Sequence, residues 1–295
     1  MSNKKKIILI GPPATGKTTI TKVFFQKANP IKLLYTSLEP TRGVNSNIFS
    51  LFNSQLGIFD LAGQENKNWL LKERDVFDQS NVITCVFDIN NSLEKIISFL
   101  VKIIRIKKEL NSLSNCKIFA FLHKIDMVGS SYLSEKIKAI KNFLKSHYTK
   151  NGININIFGT SITKEHFYNT FQILLDILTS IYQEDFIPIS KTEFESLKQE
   201  LIIIIKCELN VKYKVEHLSY KFNLDIDKLY YHLERLEKLG MIEFLSYRNF
   251  IRLTQRSDYL KTGLKKEINK VELIKENKKI KLFYTFLQLN EILST

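Results

Sequence analysis

Nowhere in the sequence does an apolar run approach the roughly 20 residues that a membrane-crossing helix needs, so no span is expected. Cysteine is scarce. Cys85, Cys116 and Cys207 are scattered without metal-ligand spacing, which excludes a disulfide framework and fits a reducing cytosol. With 5 prolines and 10 glycines, the chain is poor in breakers and should be regular rather than disordered. Position 2 is Ser2 instead of the glycine that myristoylation requires, and Leu293-Ser294-Thr295 offers no prenylatable cysteine, so no lipid anchor is expected. The Lys4–Lys6 run precedes a short strand and not a signal-peptide core. These absences lead us to expect a soluble, cytoplasmic protein that reaches any membrane through a partner.

What is present sets the scale. A length of 295 residues suits two domains on a prior of roughly 150 residues each. The 44% hydrophobic content lets each bury its own core. The net charge of +14 would suit nucleic acid or an anionic surface. Most of it lies in residues 1–184, where 24 Lys/Arg face 14 Asp/Glu. Lysine, isoleucine and asparagine are over-used throughout, as an A+T-rich gene would produce, so charge alone does not choose a partner.

Along the chain, short apolar runs alternate with helical periodicity. Strands are expected at Ile7–Ile10, Gly57–Asp60, Val82–Asp88, Lys117–Leu122 and Ile153–Phe158, with Asn47–Phe52 as an edge strand beside the second. Helices are expected from Lys17 to about Lys27, over Ser92–Leu110, Tyr132–Tyr148 and His166–Tyr182. This alternation predicts an α/β fold: a mostly parallel sheet with helices on both faces, its ligand at the carboxyl ends of the strands. The domain would occupy residues 1–184, followed by a linker over 185–190.

The chemistry begins at Gly11-Pro12-Pro13-Ala14-Thr15-Gly16-Lys17-Thr18, a complete G-x-x-x-x-G-K-[ST] between strand and helix. Backbone N–H groups from Ala14 through Thr19 would surround the β-phosphate at a helix N-terminus. Lys17 would reach the β/γ oxygens and Thr18 would ligate Mg2+. Pro12 and Pro13 lack N–H groups, but they lie upstream of the donors needed. The loop also resembles that of AAA+ ATPases, which require an apolar strand ending in Asp-Glu; none stands at a suitable distance.

Instead Asp60-Leu61-Ala62-Gly63-Gln64-Glu65 follows the second strand and matches D-x-x-G-Q. Asp60 is expected to hold Mg2+ through water, the Gly63 N–H to touch the γ-phosphate and Gln64 to orient the attacking water. Upstream, Glu39-Pro40-Thr41-Arg42-Gly43 has a switch I pattern, with Thr41 the second hydroxyl for Mg2+. His123-Lys124-Ile125-Asp126 stands where a base-reading motif belongs. The Asp126 carboxylate would accept from guanine N1–H and the 2-amino group, both of which adenine lacks. Lys124 would lie along the base. Gly159-Thr160-Ser161-Ile162 supplies the last loop, with the Ile162 N–H at guanine O6 and Ser161 steadying Asp126.

Histidine at position 123, Thr160-Ser161-Ile162, Arg74-Asp75-Val76-Phe77 and the strand ending in Asp88 together resemble the Rag/Gtr branch of the Ras-type small GTPases, over about residues 5–182. The resemblance implies a Ras-like G domain acting on GTP and GDP with Mg2+, effector and regulatory proteins as partners, and a homo- or heterodimer. Two features depart from the branch. The Pro12-Pro13-Ala14 loop is atypical and bears on the hydrolysis rate. The roadblock domain that the branch carries is not recognisable in residues 185–295.

Beyond the linker, Thr192–Leu209, Val215–Phe222 and Asp225–Leu239 read as helices, with Asp225 as N-cap and Gly240 as stop. Met241–Ser246 and Asn249–Thr254 read as a hairpin. The pattern over 191–257 resembles a winged helix, and 258–295 reads as a helical extension. The last long helix sets Lys228, Arg235 and Lys238 against Asp225, Asp227, Glu234 and Glu237, a poor charge balance for DNA, so a protein partner is expected. Three outputs stand at this level: a slowly hydrolysing GTP switch, a nucleotide-loaded scaffold with little hydrolysis, or a GTPase coupled to a DNA-binding wing.

Overall fold

The computed structural model describes residues 4–26, 28–51, 54–110, 115–148, 155–181 and 191–268. Its chain contacts divide it into two compact units, Met1–Thr163 and Lys164–Thr295. The first unit is built on a sheet in the order β2-β3-β1-β4-β5-β6. The strands are β1 (Lys4–Ile10), β2 (Val44–Leu51), β3 (Ser54–Leu61), β4 (Val82–Asp88), β5 (Lys117–His123) and β6 (Ile155–Thr160). Only β2 runs antiparallel, pairing Val44 with Leu61 and Asn47 with Ile58 at the sheet edge. The fold class is therefore the expected α/β, mostly parallel sheet followed by a helix-rich region.

The parallel strands are apolar in unbroken runs because both faces are covered. One row, including Ile8, Ile10, Ile83, Phe87, Ala120 and Leu122, joins a core with α3 (Asn66–Leu71), α4 (Leu93–Glu109) and α5 (Ser130–Tyr148). Phe87 meets Phe99 of α4 edge to face at 5.5 Å. The alternate row, including Ile7, Leu9, Val86, Phe119 and Phe121, is buried as well. After β1 the chain passes into α1 (Lys17–Ile20), which continues as a π-helical turn over Thr21–Phe25. A helix unforeseen from periodicity, α2 (Pro30–Tyr35), starts at Asn29, whose side chain accepts from the Ile31 N–H at 2.9 Å. Proline as the first helical residue behind an asparagine cap explains it, since neither signal needs an apolar repeat.

The second unit begins with α6 (Lys164–Ile181), which lies on α10 (Gln255–Ile268). Phe167 meets Tyr259 at 5.4 Å, and Lys164 pairs with Asp258. Between them come α7 (Lys191–Lys206), β7 (Tyr213–Lys214), α8 (Val215–Phe222), α9 (Ile226–Lys238), β8 (Ile242–Leu245) and β9 (Phe250–Leu253). The strands form a sheet in the order β7-β9-β8. Asp225 caps α9 through the Asp227 N–H at 2.9 Å, and Gly240 leaves the helix at φ 66. Asn223, left-handed at φ 51, closes α8. The helical reading of residues 269–295 lies outside the described residues.

Glu200 of α7 is wholly buried, and its Oε1 meets His232 Nδ1 at 3.2 Å and Arg235 Nε at 3.1 Å. His232 is thus packed against a carboxylate. Arg235→Met would leave that carboxylate in a dry environment without its cation, at a cost of about 3–5 kcal/mol. Combining it with Glu200→Gln should recover most of the loss. Urea denaturation of the full-length variants checks this, and an additive double variant would contradict it.

Candidate functional site

The phosphate- and base-motif residues lie at the carboxyl ends of the strands of the first unit or in loops beside them. The Gly11–Thr18 loop leaves β1 beneath β4: a Cβ on Gly11 would run into the Val86 carbonyl, and one on Gly16 into the His123 ring. Gly16 also takes φ 94, so only glycine serves there without strain. Ala14 sits in the left-handed region at φ 59 despite its Cβ, a cost of roughly 1–2 kcal/mol held in the loop. Lys17 donates to the carbonyls of Gly11 at 2.9 Å and Pro12 at 2.8 Å. Burial pulls its pKa down to about 8 against the opposing charge of Asp60. Thr15 Oγ1 donates to the Pro12 carbonyl at 3.0 Å.

Thr18, Thr41 and Asp60 converge. Thr18 Oγ1 lies 2.5 Å from Asp60 Oδ2 and 2.8 Å from Thr41 Oγ1. Asp60 is wholly buried and its Oδ1 has no hydrogen-bond partner. Burial raises its pKa, opposed by the Thr18 hydroxyl, the Lys17 charge and the Thr41 hydroxyl. Two hydroxyls and a carboxylate with an unused buried oxygen are hard donors of the kind that suits Mg2+. Around them the Thr41–Gly43 and Ala62–Glu65 segments are laced together. Gln64 Nε2 donates to the Thr41 carbonyl at 3.2 Å, the Gly43 N–H to Glu65 Oε1 at 2.9 Å, and the Ala62 N–H to the Gly43 carbonyl at 3.0 Å. Gly63 lies so close to the loop that an added Cβ would stand 2.6 Å from Pro13 N.

The residues expected to read the base assemble from the ends of β5 and β6. His123 Nδ1 lies 3.0 Å from Thr160 Oγ1, while the ring edge abuts Gly16. Ser161 Oγ donates to Asp126 Oδ1 at 2.5 Å, leaving an exposed carboxylate fixed in direction. Ile162 is buried. Lys124, left-handed at φ 66, donates to the Ala14 carbonyl at 2.9 Å and pairs with Asp88 Oδ2 at 2.7 Å. Sequence reasoning missed Asp88, although an acidic residue closing a buried parallel strand was visible. Burial pushes its carboxyl up, but the Lys124 hydrogen bond, the Asn90 N–H and the charges of Lys124 and His123 bring it below the usual range. Glu65 and Asn66 were missed too; both act through main-chain partners that no motif displays.

With this arrangement in view, the conserved-region profile of the Gtr1/RagA G proteins matches residues 6–207. The chain belongs to the Gtr1/RagA G protein family. It is thus a guanine-nucleotide-binding protein of the GTPase class, and the match runs past the sheet through α7. Among solved structures, this Gtr1/RagA family member is similar to a bacterial selenocysteine-specific elongation factor, EF-Sec, at 18% identity and a TM-score of 0.44. That likeness covers 64% of this chain and 30% of the elongation factor. No curated protein matches the chain. Among the described residues, no helix is long and apolar enough to cross a membrane.

In this family member, burial, and then the Lys124 charge, depress the His123 pKa to about 4, against the pull of Asp126 and Asp88. The unfolded chain binds the same proton with its pKa at the ordinary 6.5. Between those values the unfolded state therefore holds more protons, and stability falls as pH falls through the window. The full loss is about 3 kcal/mol. His123→Asn keeps a hydrogen-bonding side chain without the titration, so it should flatten this part of the slope. Denaturation midpoints at several pH values between about 7 and 4.5 test it, and equal slopes in both proteins would refute it.

Proposed function

We propose that this chain is a GTP-operated switch that binds GTP and GDP with Mg2+, hydrolyses GTP slowly and signals through switches I and II. The observation that carries this is the convergence of Thr18, Thr41 and Asp60, with Gln64 bonded to the Thr41 carbonyl and Glu65 to the Gly43 N–H. In this reading the Gly11–Thr19 loop and Lys17 hold the phosphates, and Thr18 and Thr41, with Asp60 through water, hold Mg2+. The ion supplies charge neutralisation of the phosphate oxygens when bound. Gln64 and the Thr41 carbonyl fix a water in line with the γ-phosphorus. Attack forms one P–O bond and breaks the β,γ-bridging bond, yielding GDP and phosphate. His123, Lys124, Asp126, Thr160, Ser161 and Ile162 read guanine.

GTP and GDP should accordingly bind far better than ATP, and Asp126→Asn should move preference towards xanthine nucleotides. Fluorescent-nucleotide titration decides it, since equal affinity for ATP and GTP would remove the guanine assignment. Gln64→Leu should lower single-turnover hydrolysis by about 100-fold, the scale of a misplaced nucleophile. A near-zero rate in both proteins would favour the second reading, a loaded scaffold. One observation favours that reading: Gly63 lies against Pro12 and Pro13, which crowds the γ-phosphate side of the loop.

For the region beyond the linker we propose a winged-helix-like domain over 191–257 that contacts protein, in a homo- or heterodimer or with effectors. Support comes from the helix–strand–helix–helix–strand–strand order and from Arg248 of the hairpin. Its guanidinium lies 3.1 Å from Glu234 and 3.6 Å from Glu237 of α9, and 4.2 Å above the Phe244 ring. A cation so engaged is poorly placed to meet phosphate, and α9 together with its Asp225 cap carries four acids against three bases. Gel shifts of the full chain on random duplex DNA should show no micromolar, salt-sensitive binding; such binding would establish the nucleic-acid alternative.

A further inference from the structure

The Gly11 carbonyl receives two donors. One is the Lys17 ammonium at 2.9 Å; the other is Asn66 Nδ2, also at 2.9 Å, reaching back from the first residue of α3. Asn66 Oδ1 is buried without a partner, so the amide is held in that place by the single bond it donates. Four neighbouring contacts bind the same stretch of chain. Gly63 abuts Pro12 and Pro13, Gln64 reaches the Thr41 carbonyl, Glu65 takes the Gly43 N–H, and Trp69 Nε1 donates to the Ala62 carbonyl at 3.1 Å. Asn66 is the point at which switch II is hydrogen-bonded to the root of the phosphate loop.

A carbonyl oxygen shared between an ammonium and a neutral amide gives most of its electron density to the charged donor. Drawing Lys17 towards phosphate oxygens removes that competitor. The Gly11 carbonyl, whose bond to Lys17 is buried, then depends on Asn66, and the Asn66 bond strengthens. Nucleotide in the loop thereby tightens the anchor of the segment that carries Gln64, two residues upstream. We propose that Asn66 is a positioning residue that couples the phosphate loop to switch II through the Gly11 carbonyl. The inference rests on the GTP-switch reading above and concerns how that switch is transmitted.

The sequence contains 1 tryptophan, Trp69, and it lies on α3, so intrinsic fluorescence of the full-length protein reports switch II without a label. Emission is compared with GDP and with a non-hydrolysable GTP analogue, beside single-turnover hydrolysis and nucleotide affinity. Asn66→Asp keeps the shape but sets a carboxylate oxygen against the Gly11 oxygen. It should shrink the GDP-to-analogue change about threefold or more and slow hydrolysis about tenfold, with affinity moved less than about threefold. Asn66→Ala should fall between it and wild type, and serves should the aspartate variant fail to fold. Wild-type emission change and rate in both variants would overturn the coupling alone. An affinity loss as large as the rate loss would mark Asn66 as structural and overturn it too. A wild-type protein whose Trp69 emission ignores the nucleotide and which turns over no GTP would instead overturn the switch reading.

Discussion

Asp60 brings a carboxylate to the end of a strand from which water is excluded. Among the described residues, the Thr18 hydroxyl at 2.5 Å, the Thr41 hydroxyl and the nearby Lys17 charge answer it. A buried charge so lightly compensated is costly, and proteins retain one where a cation or a reaction needs it. The loop geometry follows from this demand. Lys17 must lie deep enough to oppose Asp60, so its own ammonium is desolvated and leans on the main-chain carbonyls of Gly11 and Pro12. Thr41 must reach in from switch I, which sets that segment beside β3 and lets Gly43 pair with Ala62. The switches are arranged around one buried negative charge that hydroxyl donors alone do not neutralise.

The sheet was legible because its strands are buried on both faces, and a parallel sheet writes itself as unbroken apolar runs such as Ile7–Ile10. The motif residues were legible for a different reason: their spacing is local, and the structure brings them to the ends of neighbouring strands. What was not legible depends on partners distant in sequence. Asn66 touches Gly11 across 55 positions and Lys124 touches Ala14 across 110, and neither side chain carries a local sign of its target. Short capped helices were missed because a turn or two buries too little to create a repeat. The two-residue strand β7 is visible only through its pairing with β9.

In the second unit net charge is a poor guide to which cations are available. A net +14 invites a nucleic-acid reading, yet two arginines at α9 and its hairpin are engaged within this unit. Arg235 meets buried Glu200, and Arg248 lies among Glu234, Glu237 and the Phe244 ring. Tyr230, one of a tyrosine pair that a base-stacking reading would single out, stacks on Phe244 at 6.2 Å. Its partner Tyr231 stays half exposed with Arg235 over its ring. Both aromatics therefore serve packing and surface before any ligand. Composition counts charges, whereas binding depends on which of them are still unpaired and desolvable.

His123 ties the Gly11–Thr18 loop to the loops after β5 and β6. The residue at this position must join three segments: the glycine before Lys17, the final strand's Thr160 and its own loop carrying Lys124 and Asp126. An imidazole does so by shape as much as by hydrogen bonding. Its flat edge fills the space that a Cβ on Gly16 would need, and Nδ1 reaches Thr160. The same burial that makes the ring a good wedge keeps it neutral, and a charged ring beside the Lys124 ammonium would be repelled. Gly16 and His123 therefore constrain each other: the glycine is required because the ring is there, and the ring fits because the glycine has no side chain. The Gly11–Thr18 loop and the His123–Asp126 loop meet at this contact and at the Lys124 bond to the Ala14 carbonyl, so the position of one loop constrains the other.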